Sequence, residues 1–415
     1  MSETQDRAEW ASFRRLWFGQ TVSQVGTAVT VVALPLVAVL QLHASALDVG
    51  IIAAATYAAY GVLGLPAGVY VDRWPRRKVM LVTDAGRAIA LGLVPLLWSL
   101  GLLRIWQLYV VAFVVGVLSL FFDVAYQAYL PALVSRDKLI AGNARLQATT
   151  SATQVTGPGI AGIAVQLFGA SMTLILDAVS YVVSFATLLS IRGRPETHER
   201  ARRGEPLRRQ MVEGFAYIRQ DTILFSFLGC IGQLNFVIAA EEALFVIFLV
   251  RSVHVRPALV GILLAAQGVG AIVGAISAQR LARRLGTGRA MVIGATLGPL
   301  LGLLTPFTSK GLALACFVIG TGGLGASTTI SKVVGGSYRQ AIVPPHLLGR
   351  VVAIMRTLTW GPAPVGGLVA GVLGQMLGPR GALLVLAIAM VSAPLWLLLT
   401  PVWRMRELAP EGGGA

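Results

Sequence analysis

The chain has few charged residues, and acidic ones are especially scarce. Only 13% of its 415 residues are charged, and just 18 of them are Asp or Glu. Soluble domains carry about 25% charged residues, which they need to cover their surface in water. A hydrophobic fraction of 56% and a mean hydropathy of +0.75 agree with this shortage. These proportions exclude an ordinary soluble globule and indicate a protein that is solvated by lipid.

Residues suited to metal, redox or nucleotide chemistry are also sparse. The chain holds 2 cysteines and 4 histidines. Cys230 and Cys316 both lie inside apolar runs, which is typical of packed thiols, and the histidines follow no ligand spacing. The sequence contains no Gly-x-x-x-x-Gly-Lys-Ser/Thr loop for nucleotide phosphates. We therefore expect no metal, no cofactor, no enzymatic reaction and no direct drive by ATP.

Long apolar runs dominate what is present. Twelve runs of about 20 residues can be drawn between residues 16 and 403, and each is long enough to cross hydrocarbon as a helix. The runs are rich in Ala, Leu and Gly and do not alternate, which argues against membrane strands. The net charge of +16 does not indicate nucleic acid, because the Lys and Arg residues lie in short clusters between the runs.

The basic clusters predict the topology. With the N-terminus in the cytoplasm, 25 of the 34 Lys and Arg residues fall in cytoplasmic segments and 5 in external ones. This bias predicts an even number of helices with both termini in the cytoplasm. The first fifteen residues have no apolar core, so we expect a cytoplasmic leader there rather than a signal peptide.

We predict an all-α membrane protein with twelve transmembrane helices in two pseudo-symmetric six-helix bundles. The longest polar stretch divides the apolar runs six and six. Within it, residues 211–219 fit a short amphipathic helix on the membrane surface, while residues 192–206 fit a solvated linker. The predicted segments are a leader at 1–15, a first bundle at 16–191, a linker at 192–222, a second bundle at 223–403 and a cytoplasmic tail at 404–415.

A short pattern supports an internal repeat. Gly-Pro-x-x-x-Gly occurs at residues 157–162 and again at residues 361–366, which is 204 residues further on. The two copies fall in the fifth and eleventh predicted helices, which correspond in the two halves. A duplicated transporter with matching helix kinks would account for this pattern.

The loop after the second predicted helix reads Gly-x-x-x-Asp-Arg-x-Pro-Arg-Arg. Its signature positions are Gly68, Asp72, Arg73, Arg76 and Arg77. The loop resembles the signature loop of the major facilitator superfamily, in which a second Gly stands in place of the Pro. The resemblance implies a twelve-helix transporter in which Asp72, Arg73 and Arg76 act as a latch on the outward-open state. An ordinary basic loop that anchors the cytoplasmic face is the alternative.

Further segments resemble a narrower branch of that superfamily. Residues 13–17 lead the first helix, Asp84 and Arg87 share the third, and residues 121–131 read Phe-Phe-Asp before Gln-Ala-Tyr-Leu-Pro. Together they resemble the branch that contains macrolide-efflux proteins and enterobactin exporters. An acid that is common in the first helix of that branch is Thr27 here, so a mechanism that used it would need another group.

The fifth helix carries a second resemblance. Its small residues are similar to the core of the superfamily's antiporter motif, at Gly157, Pro158, Ala161 and Gly162. That motif is associated with exporters that exchange substrate for protons. The alternative is a simple Pro kink at a contact between helices.

Ionisable residues inside the predicted helices are functional candidates, because charge in hydrocarbon is costly. Four of them map toward the cytoplasmic ends of helices three to five, and their signs balance. We predict that these four form an inner charge cluster at the cytoplasmic gate, and structural ion pairing is an equal alternative. They are Asp84, Arg87, Asp123 and Arg145.

Three acids map toward the outer halves of helices six and seven, where no basic residue shares the span. Buried carboxyl groups without a partner can take up and release protons near neutral pH, as coupling requires. The candidates are Asp177, Glu241 and Glu242. Adjacent residues differ by about 100° around a helix, so only one of the two Glu residues fully faces the cavity, and we prefer Glu241. A position near the water interface is the alternative.

Two helices carry polar stripes that should face the bundle interior and line a substrate cavity. Hydrogen bonding between helices is the alternative. Arg356 and Trp360 in the eleventh helix could bind an anionic and an aromatic group, unless Arg356 extends to the cytoplasmic surface. The stripes consist of Gln20, Ser23, Gln24 and Thr27 in the first helix and of Gln147, Ser151 and Gln154 in the fifth.

These features predict a multi-pass protein of the cell membrane that exports small amphipathic organic molecules in exchange for protons. A facilitator or importer on the same fold, or a membrane sensor or scaffold without transport, are the alternatives. The expected partners are the lipid bilayer, a small-molecule substrate and protons, with no nucleic acid. The resemblance implies a monomer, and the residues do not identify the substrate.

Overall fold

The computed structural model describes residues 3–71, 73–133, 136–191 and 207–405. Nearly all of these residues are helical, and no strand occurs among them. A helix satisfies its backbone hydrogen bonds within one segment, which is what a chain in lipid requires. The prediction of an all-α membrane protein is therefore confirmed.

The chain divides into two compact units. The first comprises Met1–Arg202 with Arg256–Ile262, and the second Arg203–Val255 with Leu263–Ala415. In the first unit α1 packs on α5 and α6, α3 packs on α4 and α6, and α2 packs on α4. Its helices are α1 (Glu3–Leu36), α2 (Ala46–Val71), α3 (Arg76–Ser99), α4 (Ile105–Leu133), α5 (Arg136–Phe168) and α6 (Ala170–Ser190).

The second unit is built around two pairings. Helix α8 (Thr222–Ile247) packs on α12 (Pro345–Trp360) and α13 (Ala363–Val391), and α10 (Thr287–Gly302) packs on α11 (Leu314–Ile342). Its remaining helices are α7 (Leu207–Gln220), α9 (Pro257–Leu285), whose first residues fall in the first unit, and α14 (Leu395–Leu398).

Ten segments among the described residues are long and apolar enough to cross a membrane. Helix α5 is not among them, because its many polar side chains lower its hydropathy. The last segment, Arg350–Leu398, is 49 residues long, and its helical conformation is interrupted at Gly378, where φ is 71°. Only glycine adopts this backbone conformation readily. A multi-pass membrane protein is thus shown, while the count of twelve spans stays a prediction.

The structure shows that a helix covers part of the predicted leader at residues 1–15. Helix α1 begins at Glu3, inside the predicted leader, and continues without a break into the first apolar run. Trp10 and Phe13 stack with ring centroids 4.9 Å apart, and Phe13 is fully buried in a hydrophobic cluster with residues of α3, α4, α5 and α6. These two aromatic side chains extend the apolar face of α1 past the boundary that hydropathy alone suggested.

A helix also occupies the end of the predicted linker. Helix α7 packs on α8 and α12 of the second unit, with Ile218 fully buried. The Tyr217 hydroxyl donates to the carbonyl of Ile342 at 2.8 Å, and Arg350 forms an ion pair with Glu213. The amphipathic helix expected at residues 211–219 is present, and its buried face contacts protein. Residues 192–206 lie outside the described part of the chain.

The two halves share a local feature at equivalent positions. Helix α1 continues into a π-helical turn at Val37–Gln41, and α8 into another at Phe248–Ser252, 211 residues later. Each turn is followed by a histidine in the left-handed region, His43 with φ 52° and His254 with φ 61°. This correspondence extends the repetition seen at residues 157–162 and 361–366.

Candidate functional site

A cavity of about 270 Å³ lies inside the first unit. The polar stripe of α1 forms one wall, because its four residues recur at helical spacing on one face. Helices α2, α3, α4 and α5 supply the rest. The lining residues are Gln20, Ser23, Gln24, Thr27, Ala28, Tyr60, Arg87, Ser119, Phe122, Asp123, Thr150, Thr153 and Gln154.

The stripe of α5 reaches this cavity only in part. Gln154 lines it, whereas Gln147 is exposed and Ser151 is half-buried, and neither borders the cavity. Thr150 lines it instead and donates a hydrogen bond of 3.1 Å to Oε1 of Gln24. One α1–α5 contact therefore serves both as cavity wall and as a hydrogen bond between helices.

Arg87 is the only basic residue among those that line the cavity, and it is 4% exposed. Its guanidinium lies between two aromatic rings, with Cζ 4.3 Å from the centroid of Phe122 and 4.2 Å from that of Tyr181. Arg87 also forms an ion pair with Asp84, one turn earlier on α3. Both faces and one edge of the cation are thus occupied by protein, which holds it in one orientation.

Asp84 is fully buried behind Arg87. Its second carboxylate oxygen accepts a 2.7 Å hydrogen bond from Oγ of Ser184 on α6. A buried ion pair is tolerated only when its remaining hydrogen-bonding positions are filled, and Ser184 does this here. Asp84 therefore serves to hold Arg87 and is itself away from the cavity.

Asp123 occupies a different position, at the cavity wall. Its Oδ2 accepts a 3.0 Å hydrogen bond from the hydroxyl of Tyr60 on α2, and its side chain is half-buried. Its charge also interacts with that of Arg87. Among the acidic residues of the first unit that the structure describes, Asp123 is the one that lines the cavity.

Asp177 lies on α6 and is fully buried. It accepts hydrogen bonds from Thr30 on α1 and from Ser180, the latter at 2.9 Å. Its charge interacts with Arg87, the cation that the sequence did not connect with it. The neighbouring Tyr181 hydroxyl is 2.9 Å from Oγ1 of Thr27 at the cavity. Asp177 thus joins the same polar network as the residues predicted for the inner cluster.

Arg145 does not join this network. Its side chain is exposed, and its guanidinium lies 4.9 Å from the ring centroid of Trp10. The predicted balance of two acids and two bases therefore does not form. What forms instead is the ion pair of Arg87 with Asp84, and the charges of Asp123 and Asp177 interact with the same guanidinium.

The signature loop contributes backbone contacts. Arg76 donates to the carbonyl of Ala128 at 2.9 Å, and Arg77 donates to those of Leu188 and Leu189 at 3.0 and 2.9 Å. Arg73 is exposed. Asp72 lies outside the described residues, as does the surrounding of Gly68 in α2, so the latch stays a prediction.

The antiporter-like residues lie in the middle of α5. Gly157 faces α1 so closely that a Cβ built there would lie 2.3 Å from the Cβ of Ala28. Pro158 stands inside the helix, and Ala161 and Gly162 are buried. Gly157 therefore permits close packing of α5 on α1 beside the cavity, whereas Gly162 lies against the first turn of α9. The link of the motif to proton exchange stays a prediction.

In the second unit the two adjacent glutamates have opposite environments. Glu241 is 2% exposed, and its Oε1 has no hydrogen-bond partner within the described part of the chain. Glu242 is exposed; Gln267 donates to it at 3.3 Å, and Lys332 of α11 interacts with its charge. Sequence reasoning found no base for Glu242 in its own helix, and the structure supplies one from α11.

Arg356 and Trp360 are both exposed and belong to the second unit, so they do not border the cavity described above. Six of the residues that line the cavity were not predicted from the sequence: Ala28, Tyr60, Ser119, Phe122, Thr150 and Thr153. Phe122 stands next to Asp123 in the sequence, which was the one local signal. For the others, only the packing of the helices reveals which side faces the cavity.

Comparisons with known proteins find similarity to membrane proteins that export small molecules. A model of the family described as transmembrane secretion effectors matches residues 8–411. The multidrug efflux pump Tap of Mycobacterium tuberculosis is 27% identical over 413 residues, which cover 95% of this chain and 94% of Tap. The enterobactin exporter EntS of Citrobacter koseri is 26% identical over 421 residues, which cover 97% and 95% of the two chains.

A solved structure shows the same fold. The crystal structure of the nucleoside transporter NupG matches with a TM-score of 0.76 over 94% of this chain and 98% of NupG. The sequence identity of 12% is low, so this likeness concerns the fold alone. Among the residues that the structure describes, no group of three His, Cys, Asp or Glu could hold a metal ion.

Proposed function

The chain belongs to the major facilitator superfamily, in the family of transmembrane secretion effectors, and on that premise we propose that it exports small amphipathic organic molecules in exchange for protons. Family and relatives make it a multi-pass membrane transporter and not an enzyme. They also confirm the resemblance to exporters that the sequence suggested. Direction, coupling ion and substrate class are the proposed part.

The observation that carries the proposal is a cavity within a membrane-spanning unit whose lining combines apolar surface with amides, hydroxyls and two charged groups. Hydrogen-bonding side chains facing hydrocarbon would be costly, so their presence in this lining supports an amphipathic occupant. Tap and EntS are both exporters by name, which supports outward transport. Of the antiporter-like residues of α5, Gly157 lies at the contact with α1 that forms part of the cavity wall.

Proton coupling requires a carboxyl group that changes protonation during the cycle. Glu241 is the strongest candidate in the second unit, because it is buried and one of its oxygens lacks a partner among the described residues. Glu242 and Asp177 are the others. Asp177 is held by two hydroxyl donors, which stabilise its ionised form and make it the weaker candidate.

The test is accumulation of amphipathic antibiotics, dyes and siderophores in an efflux-deficient bacterial host that expresses the protein. We expect lower accumulation than in cells with empty vector, and loss of this effect with a protonophore or in the Glu241→Gln/Glu242→Gln variant. Glu213→Gln, which changes a carboxylate on α7, is the matched control and should export normally.

Each other outcome has a defined meaning. Export that survives the protonophore contradicts proton coupling. Export that is lost with the protonophore but survives in the double variant moves coupling away from α8. Higher accumulation of any compound favours an importer, and no change with any compound contradicts export of this substrate class.

A further inference from the structure

We infer that Lys332, Glu242 and Gln267 form a subsite of the second unit for a zwitterionic group, which is an ammonium and a carboxylate on one ligand. Lys332 binds the carboxylate of the ligand, and Glu242 binds its ammonium. The inference rests on the proposed function and deepens it, because it names a chemical feature of the substrate. It is carried by the convergence of three polar side chains from three helices, by access to them and by the separation of their charges.

The three residues lie deep inside segments that are long and apolar enough to cross a membrane. They belong to α8, α9 and α11, and each stands ten residues from the nearer end of its segment. Ten helical residues rise about 15 Å, which is half the thickness of the hydrocarbon layer of about 30 Å. A charge at this depth is costly in contact with lipid. Glu242 and Lys332 therefore mark a polar, water-accessible face of the second unit.

Close packing of α9 on α11 brings the three side chains together. A Cβ at Gly325 of α11 would lie 2.0 Å from the backbone oxygen of Gln267, so glycine permits this approach. Lys332 follows Gly325 by two helical turns and lies on the same face of α11. Long side chains of a helix point back toward its N-terminus, which directs the Lys332 ammonium toward the level of Gln267. Gln267 in turn donates a hydrogen bond of 3.3 Å to Oε1 of Glu242 on α8.

Both charged side chains can be reached by a ligand. Glu242 and Lys332 are exposed, yet the surrounding protein removes part of the hydration of each charge. A group that is both accessible and partly desolvated lies in a recess rather than on an open surface. Glu241, next to Glu242 in the chain, is only 2% exposed and is closed to a ligand. The recess thus offers one accessible acid and one accessible base.

The two charges interact without direct contact. Each acts on the other through space, and no ion pair or hydrogen bond joins Lys332 to Glu242 within the described part of the chain. The Lys332 ammonium has three N–H donors, and none of them has a partner among the described residues. Gln267 occupies only one oxygen of the Glu242 carboxylate. Hydrogen-bonding capacity for a ligand therefore remains on both charged groups.

Charge balance selects a zwitterion over a simple ion. An anion would be attracted by Lys332 but repelled by Glu242, and a cation would meet the reverse situation. A ligand that carries both charges pairs with both groups and leaves the recess neutral. Hydrogen bonds between charged partners are roughly twice as strong as those between neutral ones, so the preference should be measurable.

The test is a binding measurement on the purified full-length protein with three fluorescent probes that share a dansyl group and a five-carbon chain. Nε-dansyl-lysine carries an ammonium and a carboxylate, dansylcadaverine lacks the carboxylate, and 6-(dansylamino)hexanoic acid lacks the ammonium. We expect the zwitterion to bind about tenfold more tightly than either ion, as for one additional charge-assisted hydrogen bond.

Two variants should change this preference in opposite directions. Lys332→Gln should remove the advantage of the zwitterion over dansylcadaverine, because the carboxylate loses its partner. Glu242→Gln should remove its advantage over 6-(dansylamino)hexanoic acid, because the ammonium loses its partner, while an acceptor for Gln267 remains. Lys310→Gln makes the same change at an exposed lysine just before the segment of α11, and should bind all three probes like the wild type.

Equal affinity of the three probes for the wild type would overturn the inference. So would a zwitterion preference that survives unchanged in Lys332→Gln or in Glu242→Gln, and either variant suffices if the other does not fold. A uniform loss of affinity for all three probes in both variants would also overturn it, because Lys332 and Glu242 would then have only a structural role. Since the assay measures binding without transport, its failure leaves the accumulation test of export intact. A zwitterion preference in a protein that exports nothing would instead count against the proposed function alone.

Discussion

The guanidinium of Arg87 and the carboxylate of Asp84 form an ion pair within one turn of α3, and neither side chain is more than 4% exposed. Ser184 donates a hydrogen bond to the second oxygen of the carboxylate, and two aromatic rings cover the guanidinium. Each group is therefore stable in the interior only because the others are in place, and this dependence can be measured.

Arg87→Gln should strongly destabilise the protein, because it leaves the Asp84 carboxylate buried without its cation. Breaking one side of a buried pair costs about 3–5 kcal/mol. The double variant Asp84→Asn/Arg87→Gln should recover part of this loss, since no unpaired charge remains. Thermal unfolding in detergent compares the two. A double variant that melts below Arg87→Gln would contradict the interdependence of the pair.

Substitutions of Tyr181 should separate its ring from its hydroxyl. Tyr181→Phe keeps the ring over Arg87 and loses the contact with Thr27, at an expected cost of about 0.5–1.5 kcal/mol. Tyr181→Leu also removes the cation–π contact and leaves a cavity, so it should cost about 3 kcal/mol or more. Melting temperatures of the two variants test this order, and equal melting temperatures would show that the ring over Arg87 adds nothing.

Two glycines of α5 should respond differently to alanine. At Gly157 a Cβ would lie 2.3 Å from the Cβ of Ala28, whereas at Gly159 no heavy atom lies within 4 Å. Gly157→Ala should force α1 and α5 apart at a cost of about 1–3 kcal/mol and reduce transport. Gly159→Ala, the matched control, should be neutral or stabilise the helix by up to about 1 kcal/mol. Unfolding and accumulation assays on both variants test this difference. Comparable losses of stability and transport in the two variants would argue against a special contact at Gly157.

Replacement of Glu241 should stabilise the folded protein and abolish its transport function. Its buried Oε1 lacks a hydrogen bond within the described residues, so Glu241→Leu should raise the free energy of unfolding by about 1–3 kcal/mol. The same variant should lose export that depends on the proton gradient. Glu242→Gln, at an exposed position that keeps hydrogen bonding to Gln267, should change the melting temperature little. A Glu241→Leu protein that melts earlier than the wild type would indicate that the carboxyl group is satisfied in the folded state.

Several features follow from the sequence because each depends on one helix at a time. Composition and run length predict a multi-pass helical protein, since the length of an apolar run decides whether a helix crosses hydrocarbon. The spacing of Gln20, Ser23, Gln24 and Thr27 predicts that they share one face, and all four line the cavity of the first unit. The family resemblance rests on local motifs and needs no tertiary contact.

Other features depend on which helices face each other, which spacing along one chain segment does not contain. Arg145 is exposed and lies over the ring of Trp10 on α1, so the expected balance of charge does not form. Tyr60 meets Asp123, Asp177 joins the surroundings of Arg87, and Lys332 reaches Glu242 only through contacts between helices distant in sequence. Helical periodicity within a segment determined the polar faces and the spacing of Asp84 and Arg87 on α3. The packing of those faces against one another decided which residues of other helices meet Arg87, Asp123, Asp177 and Glu242, because such contacts join segments that are distant in sequence.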